Sequence, residues 1–134
     1  MTRVLGIDYG DVRVGIAISD PLKIISKPLI TLTNDENLLE NLEKIISEKN
    51  VEKIIVGYPI GMKGQKTLQT EKVDNFILTL KNKFDLNILV VDERLSSVSA
   101  RNSLIKQGIK TGHNKSLIDN TSAAIILQEY LDRK

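Results

Sequence analysis

A chain of 134 residues with 41 % hydrophobic and 27 % charged side chains has the balance of an ordinary globular domain. It is expected to form one domain over residues 1–134. The absence of cysteine excludes a disulfide framework and a thiolate metal site. No apolar run reaches the ~20 residues that span a bilayer, and Met1-Thr2-Arg3-Val4 enters an apolar strand without a signal-like layout, so a cytosolic protein with no membrane partner is expected.

Residues 3–9 form an apolar, β-rich run that ends at Gly10. In 12–20, Val12, Val14, Ile16 and Ile18 alternate with Arg13, Gly15, Ala17 and Ser19, the period of a strand with one buried face. The short Gly10-Asp11 link predicts a hairpin between these two strands. A loop through Lys27-Pro28 leads to a third strand at 29–33, and three strands with short links favour an antiparallel meander. Thr33 and Glu36 have capping-box spacing, and Leu38, Leu39, Leu42, Ile45 and Ile46 follow at helical intervals, which predicts a helix over 35–49. Residues 53–57 read as a buried strand stopped by Tyr58-Pro59. A loop with Gly61 and Gly64 precedes a helix over 66–83 that turns Val73, Phe76, Ile77 and Leu80 inward. Residues 87–91 form the fifth strand, ending at Asp92-Glu93. Ser96 or Ser97 caps a third helix that runs to Gln107-Gly108, and after a polar loop a last helix starts at Asp119.

The order is βββ-α-β-α-β-α-α. Crossovers after the meander imply parallel pairing there, and a mixed five-stranded α/β sheet with helices on both faces buries every apolar stripe. This arrangement resembles the ribonuclease H-like fold, which implies strand order 3-2-1-4-5 and places the first strand at the centre.

Asp8 then ends a central strand between Gly6 and Gly10. An ionised carboxylate in that position needs hydrogen-bond donors or a cation; hairpin amides are one answer and a metal ion is another. Asp92 and Glu93 end the fifth strand, and alternation directs them to opposite faces, so one of them meets the site. Asp119 opens the last helix, where aspartate is also a favoured N-cap. In the implied sheet the first and fifth strands lie two spacings apart, ~10 Å. Gly57 on the strand between them leaves the gap open, and Glu93 has the longer reach. Three acids on a basic surface suit divalent ions and a phosphodiester: two cations ~3.5–4 Å apart activate water and stabilise the leaving oxygen, and oxygen-only ligands favour Mg²⁺ or Mn²⁺.

The residues also match a family. Gly6-Ile7-Asp8-Tyr9-Gly10 with Arg13-Val14-Gly15-Ile16-Ala17, then Ser19-Asp20-Pro21 with Lys27-Pro28-Leu29, Val56-Gly57-Tyr58-Pro59 through Met62 and Gly64, Asp92-Glu93-Arg94-Leu95-Ser96-Ser97, and Asp119-Asn120-Thr121-Ser122-Ala123-Ala124-Ile125-Ile126-Leu127-Gln128 occur in order. Together they resemble the YqgF/RuvX family of ribonuclease H-like proteins, described as Holliday junction resolvases and precursor ribosomal RNA nucleases. The resemblance implies catalytic and metal-binding roles for Asp8, Glu93 and Asp119, and it favours Glu93 over Asp92. Val12 departs from the pattern, since the family often carries a basic residue there beside the Arg13 position.

Charge is segregated. Arg94 to Ile118 contains Arg94, Arg101, Lys106, Lys110 and Lys115 with no acid, and Lys53 to Thr70 contains Lys53, Lys63 and Lys66 with none. Asp35 to Glu52 holds six acids against Lys44 and Lys49. A basic side attracts polyanions, although such faces can also be merely solvated. Arg13 and Arg94 lie close enough in sequence to the acids to hold a phosphate. Lys63, Arg101, Lys106, Lys110 and Lys115 are candidates to follow a nucleic-acid backbone. His113 reads as a solvated loop histidine rather than a proton shuttle. With 4 % aromatic residues, base stacking has little support, and shape recognition of a structured RNA precursor or branched DNA is the better expectation. Processing at the 5′ end of pre-16S rRNA is favoured over junction resolution, which needs two active sites; monomer and weak homodimer both stay open. Two rivals share these features. An actin-like nucleotide-binding protein would need a second domain, and a non-catalytic module would gain nothing from buried acids.

Overall fold

In a computed structural model, residues 1–61, 63–92 and 115–133 are described, with the helical backbone alone for 115–120. The meander is present as β1 (Arg3–Tyr9), β2 (Arg13–Ser19) and β3 (Ser26–Thr33). It is followed by α1 (Leu38–Lys49), β4 (Val51–Tyr58), α2 (Leu68–Lys83), β5 (Asn87–Asp92) and the C-terminal helix α3 (Lys115–Asp132). The sheet order is β3-β2-β1-β4-β5, with β2 antiparallel to its two neighbours and β4 parallel to β1 and β5. This is the ribonuclease H-like arrangement, and β1 is its central strand.

Alternation along the strands sorts side chains into two cores. Leu5, Ile7, Val14, Ile16, Ile54, Val56 and Ile88 pack under α1 and α2 with Leu38, Leu42, Val73, Phe76, Ile77 and Leu80. Val4, Ala17, Ile55 and Val91 pack on the other face against Ala123, Ala124, Ile126, Leu127 and Leu131 of α3. Gly6 lies under that helix: a Cβ there would sit 2.8 Å from Leu127 Cβ and 3.1 Å from the Ala123 carbonyl oxygen. Glycine is what lets α3 approach the central strand so closely. Among the described residues no helix is long and apolar enough to cross a membrane.

Several boundaries differ from expectation. β3 begins at Ser26 and includes Pro28, which an edge strand tolerates because its outer N–H has no ladder partner. The predicted cap at Thr33 is absent, because Thr33 pairs with Arg13 as the last residue of β3. α1 starts at Leu38 after Asn37, which makes no side-chain capping bond; Asp35 Oδ1 instead accepts from the Asn37 amide at 2.9 Å. The capping box occurs on α2, between Thr67 and Thr70. β4 extends to Val51 and Tyr58 on the two sides of its expected span. α3 begins at Lys115, so position 119 lies inside the helix rather than capping it. The helix expected from Ser96 or Ser97 to Gln107 lies outside the described residues.

Candidate active site

Asp8 is half-buried at the end of β1. Its neighbour Tyr9 belongs to the α1–α2 side, where its ring stacks on Phe76 at 4.2 Å, so alternation turns Asp8 toward the α3 side together with Gly6. Within the sheet Asp8 pairs with Gly15 of β2. One step beyond the Ile7–Val56 pair, its neighbour on β4 is Gly57, and Gly57 pairs with Val91 of β5. The carboxylate thus stands between two glycines, the residues directly opposite it on the adjacent strands. Arg13 shares this face two positions before Gly15 and is half-buried.

The path of α3 relative to β1 follows from three contacts. Lys53, paired with Val4, donates from Nζ to the Tyr130 hydroxyl at 2.8 Å, which puts the end of α3 over the start of β1. Ala123 and Leu127 lie over Gly6. The helix therefore runs antiparallel to β1 and advances toward the Asp8 end as residue numbers fall. Position 119 is one turn before Ala123, about 6 Å of helix rise; Asp8 is two residues beyond Gly6, about 6.6 Å of strand. With the two axes aligned, these matching rises would bring the backbone at 119 to the level of Asp8.

Asp92 is the last residue of β5. Val91 packs on the α3 side and Ile88 on the α1–α2 side, so Asp92 faces away from Asp8. Glu93, Arg94, Arg101, Lys106, Lys110 and His113 lie outside the described residues, as do the side chains of Lys115 and Asp119. Lys63 is exposed in the loop after β4, its amide donating to Gln65 Oε1 at 3.0 Å. Among the described residues no three of His, Cys, Asp and Glu come together as a metal-binding group.

Sequence reasoning missed a polar network at the same end of the sheet. Tyr58 donates to Asp74 Oδ1 at 2.8 Å, and Lys66 donates to Asp74 Oδ2 at 3.1 Å. The Tyr58 hydrogen bond, with Lys66 beside it, holds the Asp74 carboxyl below the ordinary value of 3.8. The same carboxylate raises Tyr58 and Lys66 above their ordinary 10.0 and 10.5. At neutral pH the network is a neutral phenol and an ammonium on one carboxylate. The loop it closes is a hairpin: Gly61 N donates to Gln65 O at 2.8 Å, Gly64 N to Gly61 O at 2.8 Å, and Ile60 bridges Lys66. The only hint in sequence was Tyr58-Pro59 at the strand end; nothing marks Asp74 as its partner.

Known proteins extend this description. The family RuvX, described as Holliday junction resolvase, matches residues 2–133. A relative from Ruminiclostridium cellulolyticum, named "Putative pre-16S rRNA nuclease", is 42 % identical over 134 residues, covering 98 % of this chain and 94 % of the relative. One of the same name from Desulforamulus reducens is 45 % identical over 132 residues, covering 97 % and 96 %. Among solved structures, Thermus thermophilus RuvC in complex with a Holliday junction substrate superposes with a TM-score of 0.65 at 11 % identity, covering 99 % of this chain and 95 % of that one. Fowlpox virus resolvase in its complex with Holliday junction DNA gives a TM-score of 0.55 at 15 % identity, with 98 % of each chain covered. At such identities these two establish the shared fold.

Proposed function

The chain belongs to the RuvX family of Holliday junction resolvases, and from that premise we propose that it is a metal-dependent endonuclease acting on structured nucleic acid. The observation that carries the reading is Asp8: a half-buried carboxylate at the end of the central strand, flanked by Gly15 and Gly57, on the face crossed by α3. Hard oxygen donors beside an open row fit Mg²⁺ or Mn²⁺. We assign Asp8, Glu93 and Asp119 as the ligands. The antiparallel course of α3 supports Asp119, and the turning away of Asp92 supports Glu93 as the acid contributed from the end of β5. When bound, a pair of such ions supplies the Lewis acidity for phosphodiester hydrolysis.

The protein's own groups do the rest. Asp8 fixes the centre of the site to the central strand. Arg13, on the same face, holds a substrate phosphate. Lys63, Arg94, Arg101, Lys106, Lys110 and Lys115 bind the flanking backbone by charge, a sequence-independent contact suited to shape recognition. The names of the relatives favour pre-16S rRNA as substrate, and we extend this to action at its 5′ end in ribosome biogenesis. The family description favours a second substrate, the Holliday junction, which would place the chain in recombination and repair.

The test is cleavage of precursor ribosomal RNA, plain duplexes and a four-way DNA junction in Mg²⁺, Mn²⁺ or EDTA, with wild type beside Asp8→Asn. Metal-dependent cutting by wild type, lost in Asp8→Asn, is the expected result, and the preferred substrate identifies the role. Binding in EDTA by both proteins without cutting in any metal would make the chain a non-catalytic binding module.

A further inference from the structure

Two loops flank Asp8, and one stretch of α2 holds them both. The β1–β2 turn follows Asp8-Tyr9; Gln69 Nε2 donates to the Tyr9 carbonyl at 3.2 Å, and Lys72 Nζ donates to Asp11 Oδ1 and Oδ2 at 3.0 and 3.2 Å. The β4 exit follows Gly57. There Tyr58 donates to Asp74 at 2.8 Å, Thr70 Oγ1 donates to the Pro59 carbonyl, and Lys66 donates to Asp74 at 3.1 Å. The turn is also held from the other side, where Asn34 Nδ2 donates to the Gly10 carbonyl at 2.8 Å. Tyr9, the residue after Asp8, is therefore fixed at its carbonyl by Gln69 and at its ring by Phe76.

We propose that Gln69 and Tyr58 are positioning residues for cleavage: with residues 70–74 they form a brace that fixes the ends of β1 and β4 relative to each other, and so fixes Asp8 against its neighbours. The proposal rests on the nuclease reading above. Stability does not require the brace. Val73, Phe76, Ile77 and Leu80 already bury the inner face of α2 against the sheet, whereas the polar ties, apart from that of the buried Thr70, come from half-buried or exposed side chains. Their effect is to remove play at a strand end, and misplacement of about 1 Å at a reacting centre costs on the order of 100-fold in rate.

The experiment measures single-turnover cleavage, substrate affinity in EDTA and the thermal unfolding midpoint for wild type, Tyr58→Phe, Gln69→Ala, their double variant and Asp74→Asn. Tyr58→Phe removes only the phenolic donor, and Gln69→Ala only the tie to Tyr9. Each is expected to slow the cleavage step by about 10-fold, with affinity and midpoint close to wild type. The double variant should lose less than the product of the two, because residues acting as a unit are not additive. Asp74→Asn keeps an acceptor for Tyr58 and should cut at nearly the wild-type rate. Wild-type rates in both single variants would overturn the brace alone. So would a loss confined to affinity, or one that tracks a fallen midpoint. A wild type that cuts nothing would overturn the nuclease reading and the brace together.

Discussion

Replacing Gly6 by alanine tests how the sheet and α3 are joined. The added Cβ would stand 2.8 Å from Leu127 Cβ and 3.1 Å from the Ala123 carbonyl oxygen. Ordinary carbon contacts begin near ~3.5 Å, so the first separation is short by about 0.7 Å. No rotamer change relieves it, because a Cβ and a carbonyl oxygen move only with the helix backbone. The helix must lift as a body from the centre of the sheet, which loosens its packing on Val4, Ala17, Ile55 and Val91. Overpacking of this kind costs about 1–3 kcal/mol, and each kcal/mol lowers the melting temperature of a domain this size by roughly 3–5 °C. The same displacement acts on position 119, one turn before Ala123. If Asp119 is a ligand, a shift approaching 1 Å should slow cleavage by about 10- to 100-fold. Urea and thermal unfolding report the first effect, and single-turnover cleavage on folded protein the second. Stability within about 0.5 kcal/mol of wild type would refute the packing argument, since that is the scatter of neutral surface changes. Lowered stability with unimpaired cleavage would spare the packing and sink the role of α3 in the site.

Two further outcomes follow from buried and charged groups. Gln128 is 3 % exposed and ties α3 to the edge of the meander: Oε1 accepts from Ser26 N at 2.9 Å, while Nε2 donates to Ile24 O at 2.9 Å and Asp132 Oδ1 at 3.0 Å. Gln128→Ala strands the buried Ser26 amide and should cost about 2–4 kcal/mol in urea unfolding; Ser26→Ala, whose hydroxyl has no partner among the described residues, should cost almost nothing. Asp20 gives an acid response. Burial acts to raise its pKa, but hydrogen bonds from backbone amides, including Ile25 and Ile24, prevail and hold it below 3.8. A depressed folded pKa contributes stability above the unfolded value, and that contribution is lost as pH falls through the folded one. Asp20→Asn should therefore be less stable than wild type at neutral pH, and the gap should close in acid well below 3.8; a gap that persists there would show that the charge is not responsible.

What the sequence revealed depended on whether local pattern or distant pairing decides each feature. The alternation of Val14, Ile16 and Ile18 and the short Gly10 turn are local, and β1 and β2 pair as expected from them. Thr33 shows the opposite case: its capping signal is local, but its pairing with Arg13 is a tertiary gain that the signal cannot anticipate. Asp119 resembled a cap because aspartate favours that position. Yet Ser116-Leu117-Ile118 are compatible with helix, and α3 begins a turn earlier. The earlier start puts position 119 inside the helix, one turn before Ala123 and two before Leu127, the pair that crosses Gly6.

The choice between Asp92 and Glu93 shows most clearly where local pattern stops. β5 is Asn87-Ile88-Leu89-Val90-Val91-Asp92, apolar at four successive positions, so its sequence does not say which face is inner. Only the ladder decides: Val91 lies opposite Gly57, in the row of Asp8, and packs with the α3 residues, which sends Asp92 to the other face. The information that orients Asp92 is thus held in β4 and α3, more than thirty residues from it on one side and more than twenty on the other. Pairing between separate elements, across 16 and 60 residues, likewise hides the Tyr58–Asp74 and Gln69–Tyr9 ties. Such ties join a helix to strand ends, between segments whose registers are fixed only once the core has formed, whereas Asp8 stands out in sequence because an acid at the end of a buried strand needs a reason to be there.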